Sequence, residues 1–156
     1  MNSPQKRALI IGVNGQDGSY LAELLLAKGY HVTGWVRRAD RNLLNNLCSF
    51  HDRIELVIGD LTDPDCYFQC VGLAQPDEVY NLAAPSMPFA SWQYPAEVAD
   101  LAGVSVIRLL ETLRKERPQV RFYQASTSEM FGTPVSEPQN EDTPFNPRNP
   151  YGAAKL

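Results

Sequence analysis

The sequence predicts an α/β fold, a doubly wound parallel sheet with helices on both faces. Short apolar runs alternate with longer segments whose apolar residues recur at helical spacing. Continuous apolar runs are typical of strands that are buried on both faces, as the strands of a parallel sheet are. Strands that alternate with helices imply right-handed crossovers and therefore parallel pairing.

Five apolar runs predict the strands. The first (RALIIG) ends in a glycine, and the fifth (VRFYQA) leads into a series of hydroxyl residues. The predicted strands are 7–12, 31–36, 54–58, 77–84 with its exit turn, and 120–125.

The intervening segments predict the helices. Gly29 is placed to end the first helix, while Asp63 and Pro64 suit the N-cap and first position of the second. The predicted helices are 17–29, 64–73, 96–117 and 150–156, with a loop and a short helix at 39–53 and loops at 85–95 and 133–149. We expect one domain, 1–156, that is the N-terminal part of a larger protein.

Composition excludes several classes of protein. The 156 residues include 14 basic and 18 acidic side chains, a formal charge of −4, and are 44% hydrophobic. That apolar fraction argues against disorder, and the acidic balance argues against nucleic acid or a membrane as partner. The 3 cysteines form no C-x-x-C pair and there are only 2 histidines, so we expect no metal site and a reducing, cytoplasmic location.

A glycine-rich turn lies between the first strand and the first helix, with the spacing G-x-x-G-x-x-G. Such a turn lets the backbone approach a pyrophosphate, and the helix that follows offers unpaired N–H groups. The alternative is a turn without a ligand. The residues of the turn predicted to bind a dinucleotide are Gly12, Asn14, Gly15, Gln16, Asp17 and Gly18.

Arg37 and Arg38 stand at the end of the second strand, where NAD sites usually have an acidic residue; Asp40 lies beyond the strand tip. Because arginine suits a 2′-phosphate, this pair favours NADP, the alternative being a solvated basic turn. Asp60, after the third strand, could accept a hydrogen bond from an adenine amine, or it could equally belong to a helix-capping turn.

The segment Ser126-Thr127-Ser128-Glu129 follows the fifth strand, and Tyr151 precedes Lys155 by four residues. That spacing places the phenol and the ammonium on one helix face. A phenol acts as a base near neutral pH only where a nearby cation favours the phenolate. The Tyr-x-x-x-Lys pattern is weak alone, and becomes specific beside a strand-end hydroxyl and a glycine-rich first turn.

The glycine turn, the segment YNLAA (80–84) and Tyr151-x-x-x-Lys155 resemble the extended short-chain dehydrogenase/reductase superfamily. Within it, VNGQDGSYLAELLL, FYQASTSEMFG and PRNPYGAAKL resemble the GDP-mannose 4,6-dehydratases over nearly the whole chain. The resemblance implies a Rossmann-type NADP-binding domain, with a C-terminal substrate lobe absent from this chain. It also implies further cofactor contacts from Leu61, Leu82, Ala83, Ala84, Ser86, Tyr151 and Lys155.

The same resemblance implies conversion of GDP-D-mannose to GDP-4-dehydro-6-deoxy-D-mannose, with NADP reduced and re-oxidised in one site. Tyr151 would remove the proton of the sugar 4-hydroxyl, with Lys155 supporting the phenol and holding the nicotinamide ribose. Thr127 would hydrogen-bond the 4-oxygen. Glu129 would remove the C5 proton and assist loss of water from C6, because an elimination needs a second base and a simple reduction does not.

Three alternatives stay open. Glu129 could be a loop carboxylate that caps a turn. The protein could be a sugar-nucleotide 4-epimerase or 4-reductase of the same superfamily. It could also be a non-catalytic nucleotide-binding fragment, and we expect the isolated 156 residues to turn over GDP-mannose poorly or not at all. Relatives of this kind are commonly homo-oligomers, dimers or tetramers.

Overall fold

The structure is a computed structural model that describes residues 4–38, 45–85, 88–135 and 137–156. Asp40 and the predicted cofactor contact Ser86 lie outside the described residues. The chain divides into two compact units: the first unit comprises Met1–Ala83 and Arg108–Ala125, and the second unit comprises Ala84–Ile107 and Ser126–Leu156.

The first unit contains a five-stranded parallel sheet with the order β3-β2-β1-β4-β5, which confirms the predicted fold class. Its strands are β1 (Arg7–Ile11), β2 (His31–Val36), β3 (Glu55–Ile58), β4 (Glu78–Asn81) and β5 (Arg121–Gln124). The chain adds β2 and β3 on one side of β1 and then returns to add β4 and β5 on the other. In open α/β sheets the crevice at such a reversal, at the carboxyl ends of the strands, is where ligands bind.

The helices follow the predicted order. They are α1 (Gln16–Ala27), α2 (Asp65–Ala74), α3 (Pro95–Ala99), α4 (Ser105–Glu116) and α5 (Pro150–Lys155), with 3₁₀ turns at Asn45–Leu47, His51–Arg53, Pro88–Trp92 and Ser128–Met130. The single helix predicted over 96–117 is interrupted by a π-helical turn, Asp100–Val104, between α3 and α4. Gly103 lies in that turn where the backbone of α5 comes close, since an added Cβ would sit 3.1 Å from the Ala154 carbonyl oxygen.

Side-chain alternation along β1 divides the core between the two faces of the sheet. Leu9 and Ile11 pack on one face with residues of α2 and α4, whereas Ala8 and Ile10 pack on the other face with residues of α1. All four side chains are fully buried, as the apolar run predicted. The sheet is thus covered on both faces and can hold its carboxyl edge rigid.

The ends of the first two helices confirm two sequence predictions. Gly29 follows α1 with φ +81°, the left-handed conformation that glycine favours after a helix. Asp63 accepts the backbone N–H of Asp65 at 3.0 Å and so caps the start of α2, which begins at Asp65, one residue later than predicted, with Pro64 directly before it. In the part of the chain that the structure describes, no helix is long and apolar enough to cross a bilayer, and no three His, Cys, Asp or Glu side chains cluster as metal ligands.

A buried carboxylate, Glu78, holds the amino end of the sheet together. It accepts hydrogen bonds from Tyr80 at 2.7 Å and Tyr30 at 3.1 Å, and it pairs with Arg121 and with Lys6. Burial raises the pKa of Glu78, but the two hydroxyls and the two cations more than offset it, so the pKa lies below its usual value. The ionised carboxylate therefore stabilises the folded state.

We expect Glu78→Gln to lower the free energy of unfolding at pH 7 by about 1–3 kcal/mol, the cost of leaving buried partners unsatisfied. Because the folded-state pKa is lowered, this contribution is present above the unfolded pKa of about 4.3 and is lost as pH falls through the folded value. Urea unfolding at several pH values should therefore show a difference that shrinks in acid.

The matched control is Glu111→Gln, which removes an exposed carboxylate that pairs only on the surface of α4 with Arg114 and Lys115. Equal losses for the two variants, or a loss at position 78 that does not change with pH, would contradict this role for Glu78.

Candidate active site

The first candidate site is the glycine turn between β1 and α1, in the first unit. Gly12 has φ +82°, and its carbonyl oxygen accepts the N–H of Gly15 at 3.0 Å. A Cβ on Gly18 would lie only 2.3 Å from that same carbonyl oxygen. Only glycine at position 18 lets the first turn of α1 lie directly against the backbone that leaves β1.

The turn also lies close to the exit of β4. A Cβ on Gly12 would lie 3.1 Å from the backbone of Ala83, which follows Leu82 after the strand. The N-cap residue of α1, Gly15, makes no side-chain capping bond, and Gln16 and Asp17 are exposed. The structure thus brings together the predicted residues 12–18 and 82–83 at the sheet's reversal point, in a backbone cradle that suits a pyrophosphate.

Three further predicted residues lie along the same edge of the sheet. Arg37 and Arg38 are exposed after β2, and Asp60 follows β3, which pairs with β2 through Val36 and Ile58. Hydrogen bonds from the Thr62 N–H at 2.9 Å and hydroxyl at 2.8 Å lower the pKa of Asp60, against burial and with help from the charges of both arginines.

Asp60 therefore has the turn-forming role that was the alternative prediction, and its carboxylate is also ionised beside a basic pair. Leu61, the next residue, is fixed by its carbonyl oxygen, which accepts the Tyr67 hydroxyl at 2.6 Å. The edge combines one anionic hydrogen-bond acceptor with two cations.

A second candidate site lies in the second unit, which also contains the half-buried Ala84. The 3₁₀ turn Ser128–Met130 is capped by Thr127, whose hydroxyl oxygen accepts the N–H of Glu129 at 3.2 Å. Thr127 and not Glu129 thus caps this turn. The Glu129 carboxylate instead accepts a hydrogen bond from the side-chain amide of Asn149, 20 residues further along the chain.

Asn149 is a site residue that the sequence analysis missed. Its Oδ1 accepts the N–H of Gly152 at 2.7 Å, so it is the N-cap of α5, and its Nδ2 donates to Glu129. An Asn directly before a Pro at a helix start is a sequence signal for an N-cap. That signal could have found the cap, but not the bond to Glu129.

The start of α5 lies directly against the turn that carries Glu129. Gly152 is buried, and a Cβ there would lie 2.4 Å from the carbonyl oxygen of Glu129. The missing side chain thus allows a backbone contact that no other residue permits without displacement.

Tyr151 and Lys155 share one face of α5, as predicted. The Lys155 ammonium lies 5.9 Å from the centre of the Tyr151 ring, and burial lowers the pKa of Lys155. Both side chains and that of Glu129 are partly exposed. The second unit therefore assembles Thr127, Glu129, Tyr151 and Lys155 around the start of one helix, a phenol with an adjacent cation and a separate carboxylate.

Comparison with known proteins identifies consistent relatives. The profile of the family described as "GDP-mannose 4,6 dehydratase" matches residues 9–156. The "GDP-mannose 4,6 dehydratase" of Cricetulus griseus is 45% identical over 163 aligned residues, which cover 98% of this chain and 44% of the relative. The chain therefore spans less than half the length of this curated relative.

Solved structures show the same fold. The UDP-Glc/GlcNAc 4-epimerase of Campylobacter jejuni superposes with a TM-score of 0.86 at 23% identity, over 96% of this chain and 46% of that one. The Bordetella bronchiseptica enzyme WbmH, solved in complex with NAD⁺, superposes with a TM-score of 0.80 at 29% identity, over 97% of this chain and 50% of that one.

We expect Gly152→Ala to lower the free energy of unfolding by about 1–3 kcal/mol, because the new methyl group overlaps the Glu129 carbonyl and must push α5 away. The control is Gly72→Ala in α2, where a Cβ would meet nothing within 4 Å. That change should stabilise the protein by about 0.5–1 kcal/mol through helix propensity alone. Chemical denaturation would measure both, and a stabilising Gly152→Ala would show that the close contact does not exist.

Proposed function

The chain belongs to the GDP-mannose 4,6 dehydratase family, and from that membership we propose that the protein dehydrates GDP-D-mannose to GDP-4-dehydro-6-deoxy-D-mannose. We propose that residues 1–156 form its NADP-binding Rossmann domain and that a substrate lobe lies in the rest of a longer protein. One observation carries the proposal. The Glu129 carboxylate accepts a hydrogen bond from Asn149, the N-cap of the helix that bears Tyr151 and Lys155.

The residues of the first unit fit a dinucleotide. Gly12 and Gly18 let the backbone that leaves β1 pack directly against the exit of β4 and the first turn of α1, and α1 begins there without a side-chain cap. We propose that NADP is held by Gly12, Asn14, Gly15, Gln16, Asp17, Gly18, Arg37, Arg38, Asp60, Leu61, Leu82, Ala83, Ala84, Ser86, Tyr151 and Lys155. When bound, NADP would supply the group that takes up a hydride from the sugar C4 and gives it back at C6.

In the first step Tyr151 removes the proton of the 4-hydroxyl, so its phenol oxygen must carry negative charge before the reaction. The Lys155 ammonium on the same helix face stabilises that charge. Thr127 already accepts the Glu129 N–H, so its own hydroxyl proton is available to hydrogen-bond the sugar 4-oxygen.

In the second step Glu129 acts as the base. A ketone at C4 acidifies the C5 proton, which passes to the carboxylate of Glu129. The carboxylic acid then gives a proton to the 6-hydroxyl, which leaves as water, so the carboxylate is restored and a C5–C6 double bond forms. As hydride is added at C6, C5 takes up the proton that Tyr151 received from the 4-hydroxyl, which restores the phenolate. This use of one residue as base and then acid is ordinary general acid–base catalysis.

We expect Glu129→Gln to abolish formation of the 6-deoxy product while it leaves NADP affinity unchanged, because glutamine cannot accept the C5 proton. Nucleotide-sugar chromatography of the whole protein with GDP-mannose measures the product, and fluorescence titration measures the affinity. The control is Glu141→Gln, an exposed carboxylate of the same unit, which should behave as wild type. A Glu129→Gln variant with wild-type turnover would remove the proposed role.

We expect the double change Arg37→Ala and Arg38→Ala to weaken NADP binding at least about tenfold, since charge-assisted hydrogen bonds to the 2′-phosphate are lost. NAD, which has no 2′-phosphate, should lose far less affinity. Arg114→Ala, which removes an exposed arginine of α4, is the control. Equal losses for the two dinucleotides would mean that neither arginine contacts the 2′-phosphate.

A further inference from the structure

We infer that Asn149 is a positioning residue that sets the Glu129 carboxylate relative to Tyr151 for the elimination step. The inference rests on the proposed function, since it gives Asn149 a role in orienting Glu129, the base of the proposed elimination. It concerns a residue outside the predicted catalytic set, and it follows from the two hydrogen bonds that one amide makes.

The side chain of Asn149 is used in two directions at once. Its oxygen accepts the N–H of Gly152 at 2.7 Å and fixes the first turn of α5, while its nitrogen donates to Oε2 of Glu129. An amide group is planar, so fixing the oxygen also fixes the direction of the nitrogen. The position of the Glu129 carboxylate is thereby fixed relative to the helix turn that carries Tyr151.

The main chain supports the same placement independently. The Gly152 backbone lies against the Glu129 carbonyl, close enough that a Cβ would be 2.4 Å from its oxygen. Glu129 is thus held through its peptide by Gly152 and through its side chain by Asn149. Tyr151 lies between Asn149 and Gly152 in the sequence. A shift of its Cα would therefore disturb both contacts with Glu129.

The chemistry of the contact suits a base. An amide N–H donates a hydrogen bond but carries no proton that titrates, so it holds the carboxylate without neutralising it. Oε2 is occupied by this donor, which assigns the C5 proton to Oε1. A misplacement of about 1 Å in a reacting group can cost on the order of a hundredfold in rate, so one orienting bond of this kind has a measurable effect.

The test separates the two hydrogen bonds. Asn149→Asp keeps an oxygen that caps α5 but replaces the donor with a second carboxylate oxygen, which repels Glu129. Asn149→Ser is the conservative variant, because its hydroxyl can cap the helix and still donate a proton. The matched control is Asn140→Asp, the same chemical change at a turn where the side-chain oxygen is the acceptor for Asp142 and Thr143.

For Asn149→Asp in the whole protein we expect kcat for GDP-mannose to fall at least tenfold, with KM and NADP affinity within about twofold of wild type. With substrate deuterated at C5, the isotope effect on kcat should rise, because proton removal becomes rate-limiting. The thermal midpoint should stay within a few degrees, and a crystal structure should show the Glu129 carboxylate turned away from residue 149. Asn149→Ser should recover most of the activity, and Asn140→Asp should match wild type.

Wild-type turnover in Asn149→Asp, with Glu129→Gln inactive, would overturn this inference and leave the proposed function standing. A fall in activity with a lowered thermal midpoint and an unchanged isotope effect would also overturn it, because Asn149 would then serve only the fold. A wild-type protein that binds GDP-mannose and releases no 6-deoxy product would instead remove the proposed function.

Discussion

The candidate site depends on one steric constraint, the direct contact between the Gly152 backbone and the Glu129 carbonyl. Because residue 152 has no side chain, the turn after β5 and the start of α5 lie in contact, although the residues are distant in sequence. That contact brings the side chain of Asn149 within reach of the Glu129 carboxylate. A phenol, a cation and a carboxylate are then arranged by a single helix turn, so the chemistry is a consequence of close backbone packing.

The glycine turn between β1 and α1 depends on the same kind of contact, a glycine packed against a carbonyl oxygen. Gly18 is the third residue of α1 and Gly152 is the third residue of α5, and in each case the absent Cβ would lie within 2.4 Å of a carbonyl oxygen. Each glycine lets a helix start directly against a preceding turn. In the first unit this packs the first turn of α1 against the backbone that leaves β1. In the second unit it fixes side chains that can transfer protons. The proposed binding turn and the proposed proton-transfer residues thus share one kind of backbone contact.

The sequence predicted the features that depend on local pattern. Five strands, their parallel pairing and the caps at Asp63 and Gly29 follow from apolar runs and turn residues, and the structure has them. It could not predict the bond between Asn149 and Glu129, whose residues are 20 apart, or the cluster around Glu78, in which Tyr30 and Arg121 are 48 and 43 residues from the carboxylate. The π turn at 100–104 was missed for a similar reason, since the helical spacing on either side of Gly103 hides the close approach of Ala154.

The central claim is that the Glu129 carboxylate, held against the helix turn that carries the Tyr151 phenol, dehydrates a hexose together with that phenol through oxidation at C4. The most direct measurement follows a label in GDP-mannose deuterated at C4, with the product analysed by NMR. This account predicts that the product has lost water and carries the deuterium at C6, because the hydride taken from C4 is returned there. A product that keeps its 6-hydroxyl and carries the deuterium at an inverted C4 would contradict it, and would identify an epimerase.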